Sequence, residues 1–507
     1  MSLNPKWTPM RWRCGPLAAA QPGASGEPGT GASVGASVGS QKTAEQWTDP
    51  ALLRLLDETP INCLVVDWAT GGNADAAQQK ALLPLIEAGR RKGVGFVGRV
   101  TAKEDLTAIS TAGQAAGLEA LLLPGPVTTP LALPAIALFS RDNLDWDRVT
   151  DTFVLNGNVW PGAAMPGGAR QPGAPDTAPA GPTQDPWVDS NGWIAPLARC
   201  VVPGKTLWLE VDPPASAKML PLEKYCLTIA DARASGCRWI VDLDEPMRVA
   251  LATHSPLATA AWNQIAAMDA FFEKHSQWAE YDSVGPLTVV SDFRGDNSAM
   301  SFEVLHLLQR QRVPFTVADR TRPLAPRIAG KLAVLWVDDA EPAAEQHRLL
   351  MRFVEQGGMV VAPKYWGPKG LASQQYDWLF DYDIYPLGKG KIVAATGGFT
   401  DPFQLGRDTH LLVGHKHDVF RLFNPGTTNC VIGAQPAAHK EVVQVLNYNA
   451  PQPIDWLTLW INHAASAATL WSTRKSSPLK CLPQSDGTSF DLPPVAVYYA
   501  VEIERES

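Results

Sequence analysis

The sequence lacks the patterns by which several classes of protein are recognised. None of its 507 residues belongs to a run of 18 apolar residues, so no membrane span is predicted. The GxxxxGKS/T loop that holds phosphates and the GxSxG turn of serine hydrolases are both absent. With a net charge of −8 and no basic run, no nucleic-acid partner is predicted either. These absences leave a globular protein long enough for several domains.

Cysteine and histidine are few, and neither shows a metal-binding spacing. The seven cysteines are scattered and odd in number, which predicts small buried side chains and favours the cytoplasm, although the native compartment is left open. The segment Met10–Ala20 is interrupted at Gly15 and Pro16, so it is not predicted to be a signal peptide. His415 and His417 have the spacing of one strand face, but no third ligand is evident. We therefore predict no metal site and no cofactor.

Eight short apolar strands, separated by helix-length segments, are predicted in the first part of the chain. They are Trp7–Leu17, Asn62–Trp68, Gly95–Val100, Leu118–Leu123, Pro134–Ser140, Thr152–Trp160, Thr206–Val211 and Arg238–Leu243. This alternation predicts an α/β fold, a (β/α)8 TIM barrel over residues 1–280. Gly- and Pro-rich stretches at about 20–41 and 161–186 are predicted to be flexible insertions. Asp189 or Ser190 is predicted to be the N-cap of the helix before the seventh strand.

Two further domains are predicted after the barrel. Residues 281–418 alternate strands such as Leu287–Ser291 and Met359–Ala362 with helices, which predicts a doubly wound, flavodoxin- or amidotransferase-like domain. Residues 419–507 contain short strands separated by turn residues, which is typical of a small β-sandwich.

Carboxylates follow the last two predicted barrel strands, at the end where barrel enzymes hold their active sites. Alternation places Glu210 and Asp212 on one strand face and Asp242 and Asp244 on one face of the next strand, with Glu245 just beyond. Neighbouring strands lie about 5 Å apart, so such acids reach the separations that glycosidases use. We predict catalysis by Glu210, Asp242, Asp244 or Glu245. The alternative is that they cap helices or pair with basic side chains.

A second group of side chains lies at or near strand ends, where each is predicted to hydrogen-bond sugar hydroxyls or, equally, to serve the structure. It comprises Arg13, Asp67, Asp142, Asn158, Trp160, Asn191 and Asp212. The 18 tryptophans against 9 tyrosines fit aromatic platforms for sugar rings, and plain packing explains them equally well. The predicted partner is therefore a carbohydrate.

The order of barrel, doubly wound domain and sandwich resembles that of β-galactosidases whose barrel precedes a trimerisation domain of glutamine-amidotransferase-like fold. The strand MVVAPKYWG offers no nucleophilic cysteine, so the second domain is similar to the non-catalytic one of that family. The resemblance implies a glycoside hydrolase and favours a homo-oligomer. It also implies an Asn-Glu pair on strand four, yet Leu121–Pro126 contains no acid, and Glu210 is the counterpart of the nucleophile on strand seven.

Two hypotheses follow for the barrel. In the first it is a glycoside hydrolase, and in the second it is catalytically inactive and serves carbohydrate binding or assembly. Two carboxylates about 5–10 Å apart in an open cleft favour the first hypothesis. Carboxylates that are all tied to arginine or lysine favour the second.

Overall fold

The chain is organised in two compact units. A computed structural model describes residues 3–4, 6–14, 43–102, 105–164, 186–376 and 381–506. The first unit runs to Trp160 and includes Gly204–Arg233 and Cys237–His275, and the second contains the other described residues. The predicted insertion at 20–41 and most of that at 161–186 lie outside the described residues. The predicted domain boundaries at 280 and 418 stay predictions.

The first unit is built on an eight-stranded parallel barrel, which confirms the predicted fold. Its strands β1 to β8, adjacent in this order, are Pro9–Arg11, Cys63–Ala69, Gly95–Val100, Ala120–Pro124, Ala135–Ser140, Thr152–Asn156, Thr206–Leu209 and Arg238–Trp239. A parallel bridge between Met10 and Val241 joins β8 to β1. The helices of this unit are Asp75–Arg91, Leu106–Ala116, Leu222–Ala234, Glu245–Ala252 and Pro256–Lys274.

Side chains at alternate strand positions fill the barrel interior. The apolar cluster consists of Trp7, Cys63, Val65, Val97, Ala120, Leu122, Ile136, Leu138, Val154, Trp208 and Ile240. Because side chains alternate between faces, the next inward position on each strand lies two residues further along. With Arg11 of β1, these positions form what we call the mouth layer: Arg11, Asp67, Arg99, Pro124, Ser140, Asn156, Glu210 and Asp242. A packed apolar core therefore lies beneath a mostly polar mouth.

The segment that follows β6 differs from its prediction. Trp187–Asp189 forms a short strand that pairs with Gly162–Ala164 in antiparallel fashion. The helix Ile194–Val201 begins only afterwards, so neither Asp189 nor Ser190 is its N-cap. The Asp189 carboxylate instead accepts a hydrogen bond from an indole N–H within its own strand, at 2.9 Å. The helix belongs to the second unit rather than to the unit of the barrel.

The second unit contains a six-stranded sheet with helices typical of a doubly wound domain. Its strands β9 to β14 are Leu287–Ser291, Phe315–Asp319, Ala333–Trp336, Met359–Ala362, Tyr382–Leu387 and Gly390–Ala395. The parallel strands have the spatial order β10-β9-β11-β12-β14, and β13 is an antiparallel edge. This is the 2-1-3-4-5 order of flavodoxin-like sheets. The helices are Asn297–Arg310, Ala325–Ile328, Ala344–Glu355 and Pro402–Val413.

Two antiparallel sheets at the end of the chain form the predicted β-sandwich. One contains Asp282–Ser283, Thr428–Gln435, Lys440–Asn447, Tyr498–Arg505, Ala465–Trp471 and Ser476–Pro478. The other contains Phe420–Phe423, Thr458–Ile461, Gly487–Asp491 and Leu482–Gln484. Alternate side chains of both sheets, such as Val443 and Leu459, share one apolar core.

None of the helices in the described ranges combines the length and the apolar character that a membrane crossing requires. All seven cysteines are free thiols; six are buried, and Cys481 is half-buried.

A buried ion-pair cluster supports the barrel unit and yields a stability prediction. Arg233 is nine-tenths buried and contacts Asp269 at 2.5 Å and Glu273 at 2.7 Å. Arg233→Ala leaves the buried Asp269 carboxylate without its main cation, so we expect the free energy of unfolding to fall by about 3–5 kcal/mol. Urea unfolding followed by circular dichroism measures it.

The matched control for this variant is Arg91→Ala, which breaks an exposed ion pair with Glu87 on a helix surface. We expect the control to change the free energy of unfolding by at most about 1 kcal/mol. Equal losses in the two variants would contradict the assignment of a buried cluster.

Candidate active site

All the charged side chains of the mouth layer belong to arginine–carboxylate pairs. Arg11 of β1 pairs with Asp67 of β2. Arg99 of β3 pairs with Glu210 at the end of β7. These two strands are four apart in a closed ring of eight, so the Arg99–Glu210 pair spans the barrel mouth. Asp67 and Glu210 therefore each have an arginine partner.

The third pair, at the end of β8, extends outward from the mouth layer. The Arg13 Nε donates to Asp242 Oδ1 at 2.8 Å and to Oδ2 at 3.0 Å. The same guanidinium also contacts the exposed carboxylate of Asp212. Arg13 thus connects a fully buried acid to one that faces solvent.

Burial raises the pKa of two acids in the mouth layer. Glu210 is 8% exposed and Asp242 is 2% exposed. Desolvation raises the pKa of Glu210 above its ordinary value, although the charges of Arg99 and Arg11 oppose the shift. Desolvation likewise raises the pKa of Asp242 against the effect of Arg13. A raised pKa suits a general acid, whereas an arginine partner favours the ionised form.

Arg11 has hydrogen-bonding capacity that the described residues do not use. Its side chain is 7% exposed, and its Nε and Nη1 have no hydrogen-bond partner among the described residues. The Oδ1 of Asn158 is also buried and has no such partner there. Unpaired buried polar atoms are uncommon in folded proteins and often mark places where a ligand or water binds.

A solvent-facing cleft of about 280 Å³ adjoins this group. It is lined by Arg13, Asp212, Pro213–Ser216, Leu243–Pro246 and Arg248. Arg13 lines the cleft and also contacts Asp242 of the mouth layer, so this guanidinium lies between the cleft and the mouth layer.

Asp244 and Glu245 lie at the start of a helix. Asp244 is the N-cap, and its carboxylate accepts hydrogen bonds from the Met247 N–H at 2.6 Å, the Leu220 N–H at 2.8 Å and the Tyr225 hydroxyl at 2.8 Å. Glu245 is the first residue of the helix, half-buried on the cleft wall. Asp244 therefore caps a helix, as the alternative to a catalytic role predicts.

The remaining predicted ligands have different surroundings. The Asn158 Nδ2 donates to a β6 carbonyl at 2.5 Å. Trp160 packs edge-on against Tyr225 and Trp239, with ring centroids 5.8 and 5.5 Å away, which is the geometry of a packed aromatic cluster. Asp142 is exposed in the short turn after β5. The mouth layer thus gathers Asp67, Glu210 and Asp242, and Arg13 and Asp212 adjoin it.

Sequence reasoning missed Arg11 and Arg99, which complete this group of charges. Both lie at inward positions by simple alternation, since Arg11 precedes Arg13 by two residues and Arg99 follows the core residue Val97 by two. Extending the alternation of β1 and β3 beyond their apolar positions would have found them.

Comparisons with known proteins show similarity of structure only. No protein-family model matches the chain, and no curated protein resembles it in sequence. The α-L-fucosidase isoenzyme 2 from Paenibacillus thiaminolyticus has a similar structure, with a TM-score of 0.54 and 9% identity, over 91% of this chain and 96% of the fucosidase. A cold-adapted β-galactosidase from Rahnella sp. R3 has a TM-score of 0.51 and 11% identity, over 90% and 95% of the two chains.

The chain shares its fold with this fucosidase and this β-galactosidase. Each comparison covers nine-tenths or more of the chain, and therefore both the barrel and the later sheets. At these identities the likeness concerns the fold alone, and the activity has to be argued from the site.

The role of Asp244 yields a second stability prediction. Asp244→Ala removes a helix cap and leaves the buried Tyr225 hydroxyl without its acceptor. We expect the free energy of unfolding to fall by about 2–3 kcal/mol. Thermal and urea unfolding measure it. In the control Asp49→Ala, the lost carboxylate is exposed and caps a short 3-10 helix through Ala51 alone, and about 0.5–1 kcal/mol is expected. A fully stable Asp244→Ala variant would contradict this role.

Proposed function

We propose that the barrel binds a carbohydrate at the mouth layer and the adjoining cleft, and does not hydrolyse it by the two-carboxylate mechanism. The observation that carries this proposal is the arginine partner of each mouth-layer carboxylate, most of all Arg99 on Glu210. Glycoside hydrolysis needs one carboxyl group to protonate the leaving oxygen and another to attack or to activate water. In this barrel, Glu210 contacts the Arg99 guanidinium and Asp242 contacts that of Arg13. Strand β4 ends in Leu123–Pro124 and so provides no acid.

The chemistry of the group supports a neutral polyhydroxylated ligand. Guanidinium groups donate and carboxylates accept hydrogen bonds in fixed directions, which suits the paired donors and acceptors of sugar hydroxyls. The charges nearly cancel over three arginines and four carboxylates, namely Arg11, Arg13, Arg99, Asp67, Glu210, Asp212 and Asp242. A phosphate or nucleic-acid ligand would call for an excess of positive charge. The two similar solved structures, an α-L-fucosidase and a β-galactosidase, favour the same ligand class.

A second candidate function is hydrolysis with Glu210 as the general acid. One observation favours it, since burial raises the pKa of Glu210 despite the Arg99 charge. A general acid acts in its protonated form, so the rate would fall as the pH rises through this raised pKa.

One experiment with two arms tests the proposal. In the first arm, the full chain is incubated with a panel of aryl-glycosides across a range of pH. We expect no release of the aryl group above the buffer rate, and no change in Glu210→Gln. Turnover that is lost in Glu210→Gln and kept in Glu87→Gln, which alters an exposed helix ion pair, would support the second candidate and overturn the first.

In the second arm, the full chain is screened against immobilised glycans, and binding is then measured by titration calorimetry. Asp242→Asn keeps the shape of the side chain but weakens its bonds to Arg13, so we expect the affinity to fall about 10- to 100-fold. Asp151→Asn, in an exposed pair with Lys205, is the matched control and should bind like wild type. Binding to no glycan, or equal affinities of both variants, would contradict the proposal.

We also propose that three domains meet at about residues 280 and 418, and that the second is amidotransferase-like, non-catalytic and used for homo-oligomer formation. The parallel strand order 2-1-3-4-5 supports the doubly wound type. The strand Met359–Ala362 is followed by Pro363, so no cysteine nucleophile stands there. Light scattering of the full chain tests the oligomer, and a monomer at every concentration would contradict it.

A further inference from the structure

Two histidines and a carboxylate come together where helix Pro402–Val413 leads into the first strand of the sandwich. His410 lies in the last turn of the helix. His415 begins a short 3-10 turn that ends at His417, and Asp418 follows it directly. The sequence spacing predicts His415 and His417 on one strand face. That prediction is wrong because the segment is a 3-10 turn, in which alternate residues do not share a face.

The three side chains have the dimensions of a metal site. His410 Nε2 lies 3.3 Å from Asp418 Oδ1, and His415 Nδ1 lies 3.2 Å from Asp418 Oδ2. One ligand atom from each residue falls within 4.8 Å of the other two. Zinc bonds of about 2.0–2.1 Å in tetrahedral geometry place ligand atoms about 3.3–3.4 Å apart. Each histidine therefore lies at about this spacing from one oxygen of the carboxylate, His410 from Oδ1 and His415 from Oδ2.

A neighbouring arginine holds the carboxylate in place. The Arg421 Nε donates to Asp418 Oδ2 at 2.9 Å, and its Nη2 donates to the His415 carbonyl at 2.5 Å. The guanidinium lies over the Trp460 ring, 4.6 Å from its centroid. Because Arg421 engages Oδ2, the other oxygen, Oδ1, stays directed at His410. Hydrogen bonds that orient a metal-binding side chain in this way accompany most metal sites in proteins.

The cluster is closed on one side and open on the other. The Asp418 side chain is 11% exposed and that of His410 is 23% exposed, whereas that of His415 is 69% exposed. Three protein ligands with one solvent-facing side leave room for a water as fourth ligand.

We propose that His410, His415 and Asp418 form a binding site for a zinc-class divalent cation, with water as the fourth ligand. Two imidazoles and one carboxylate form a donor set that zinc favours over calcium or magnesium, which prefer oxygen ligands alone. The proposal is independent of the barrel, because all three ligands belong to the second compact unit.

Zinc titration of the full, chelator-treated chain tests the site, with a chromophoric chelator as competitor. Wild type is expected to bind one zinc ion that His415→Ala binds at least about 100-fold more weakly, since loss of a ligand exceeds the usual effect of a supporting residue. His417→Ala removes a histidine of the same turn outside the cluster and is the matched control, expected to bind like wild type. Arg421→Gln, which loosens the carboxylate, should weaken binding about tenfold.

A second readout separates the site from weak binding by other histidines. Cobalt replaces zinc in such sites and gives visible absorption bands, which we expect in wild type and His417→Ala but not in His415→Ala. Zinc should also raise the melting temperature of wild type and leave that of His415→Ala unchanged. His415 is largely exposed, so its loss is not expected to unfold the chain. No zinc uptake by wild type, or equal uptake by His415→Ala and His417→Ala, would show a hydrogen-bonded cluster only and overturn the proposal.

Discussion

The burial of charge at the top of the barrel constrains the rest of the first unit. A carboxylate such as Asp242 loses almost all of its water, and the penalty for an isolated ion in such a place is several kcal/mol. The protein meets this penalty with guanidinium groups that reach the acids from neighbouring or opposite strands. The pairs therefore require the barrel to be closed and in register, because Arg99 meets Glu210 only when β3 and β7 face each other across the mouth.

The same pairing limits what the site can do chemically. A glycosidase acid must give up and regain a proton during each turnover, and its partner must attack or activate water. An arginine in contact with a carboxylate stabilises its ionised form and opposes the protonated one, while burial acts in the opposite direction. Glu210 is subject to both effects at once. The fold alone therefore does not decide the chemistry at the mouth.

Most of the fold could be predicted from the sequence, because buried parallel strands are continuous apolar runs that alternate with helices. Glu210 and Asp242 could be placed at the mouth for the same reason, as each follows a core residue by two positions. Their pairing with arginines could not be predicted in this way. The contact between Arg99 and Glu210 joins residues 111 apart in sequence, and it depends on barrel closure rather than on any local pattern.

The local errors have local causes. Asp189 looked like a helix cap, but the pairing of its strand with Gly162–Ala164 takes precedence over its capping tendency. The spacing predicts His415 beside His417, but the structure brings His410 and His415 to Asp418, because a helix ends at Val413 just before the turn. In each case a contact with another element decides the conformation, and short-range spacing carries no information about it.

Arg11 has hydrogen-bond donors at the mouth that no described residue accepts. Its Nη2 pairs with Asp67, while Nε and Nη1 are buried and have no partner among the described residues. Leaving a buried donor unpaired costs about 1–3 kcal/mol, and more for a charged group. A ligand hydroxyl that accepted these hydrogen bonds would recover that free energy on binding. A guanidinium with one edge committed to a carboxylate and the other uncommitted thus fits a role in recognition, since its orientation is fixed before the ligand arrives.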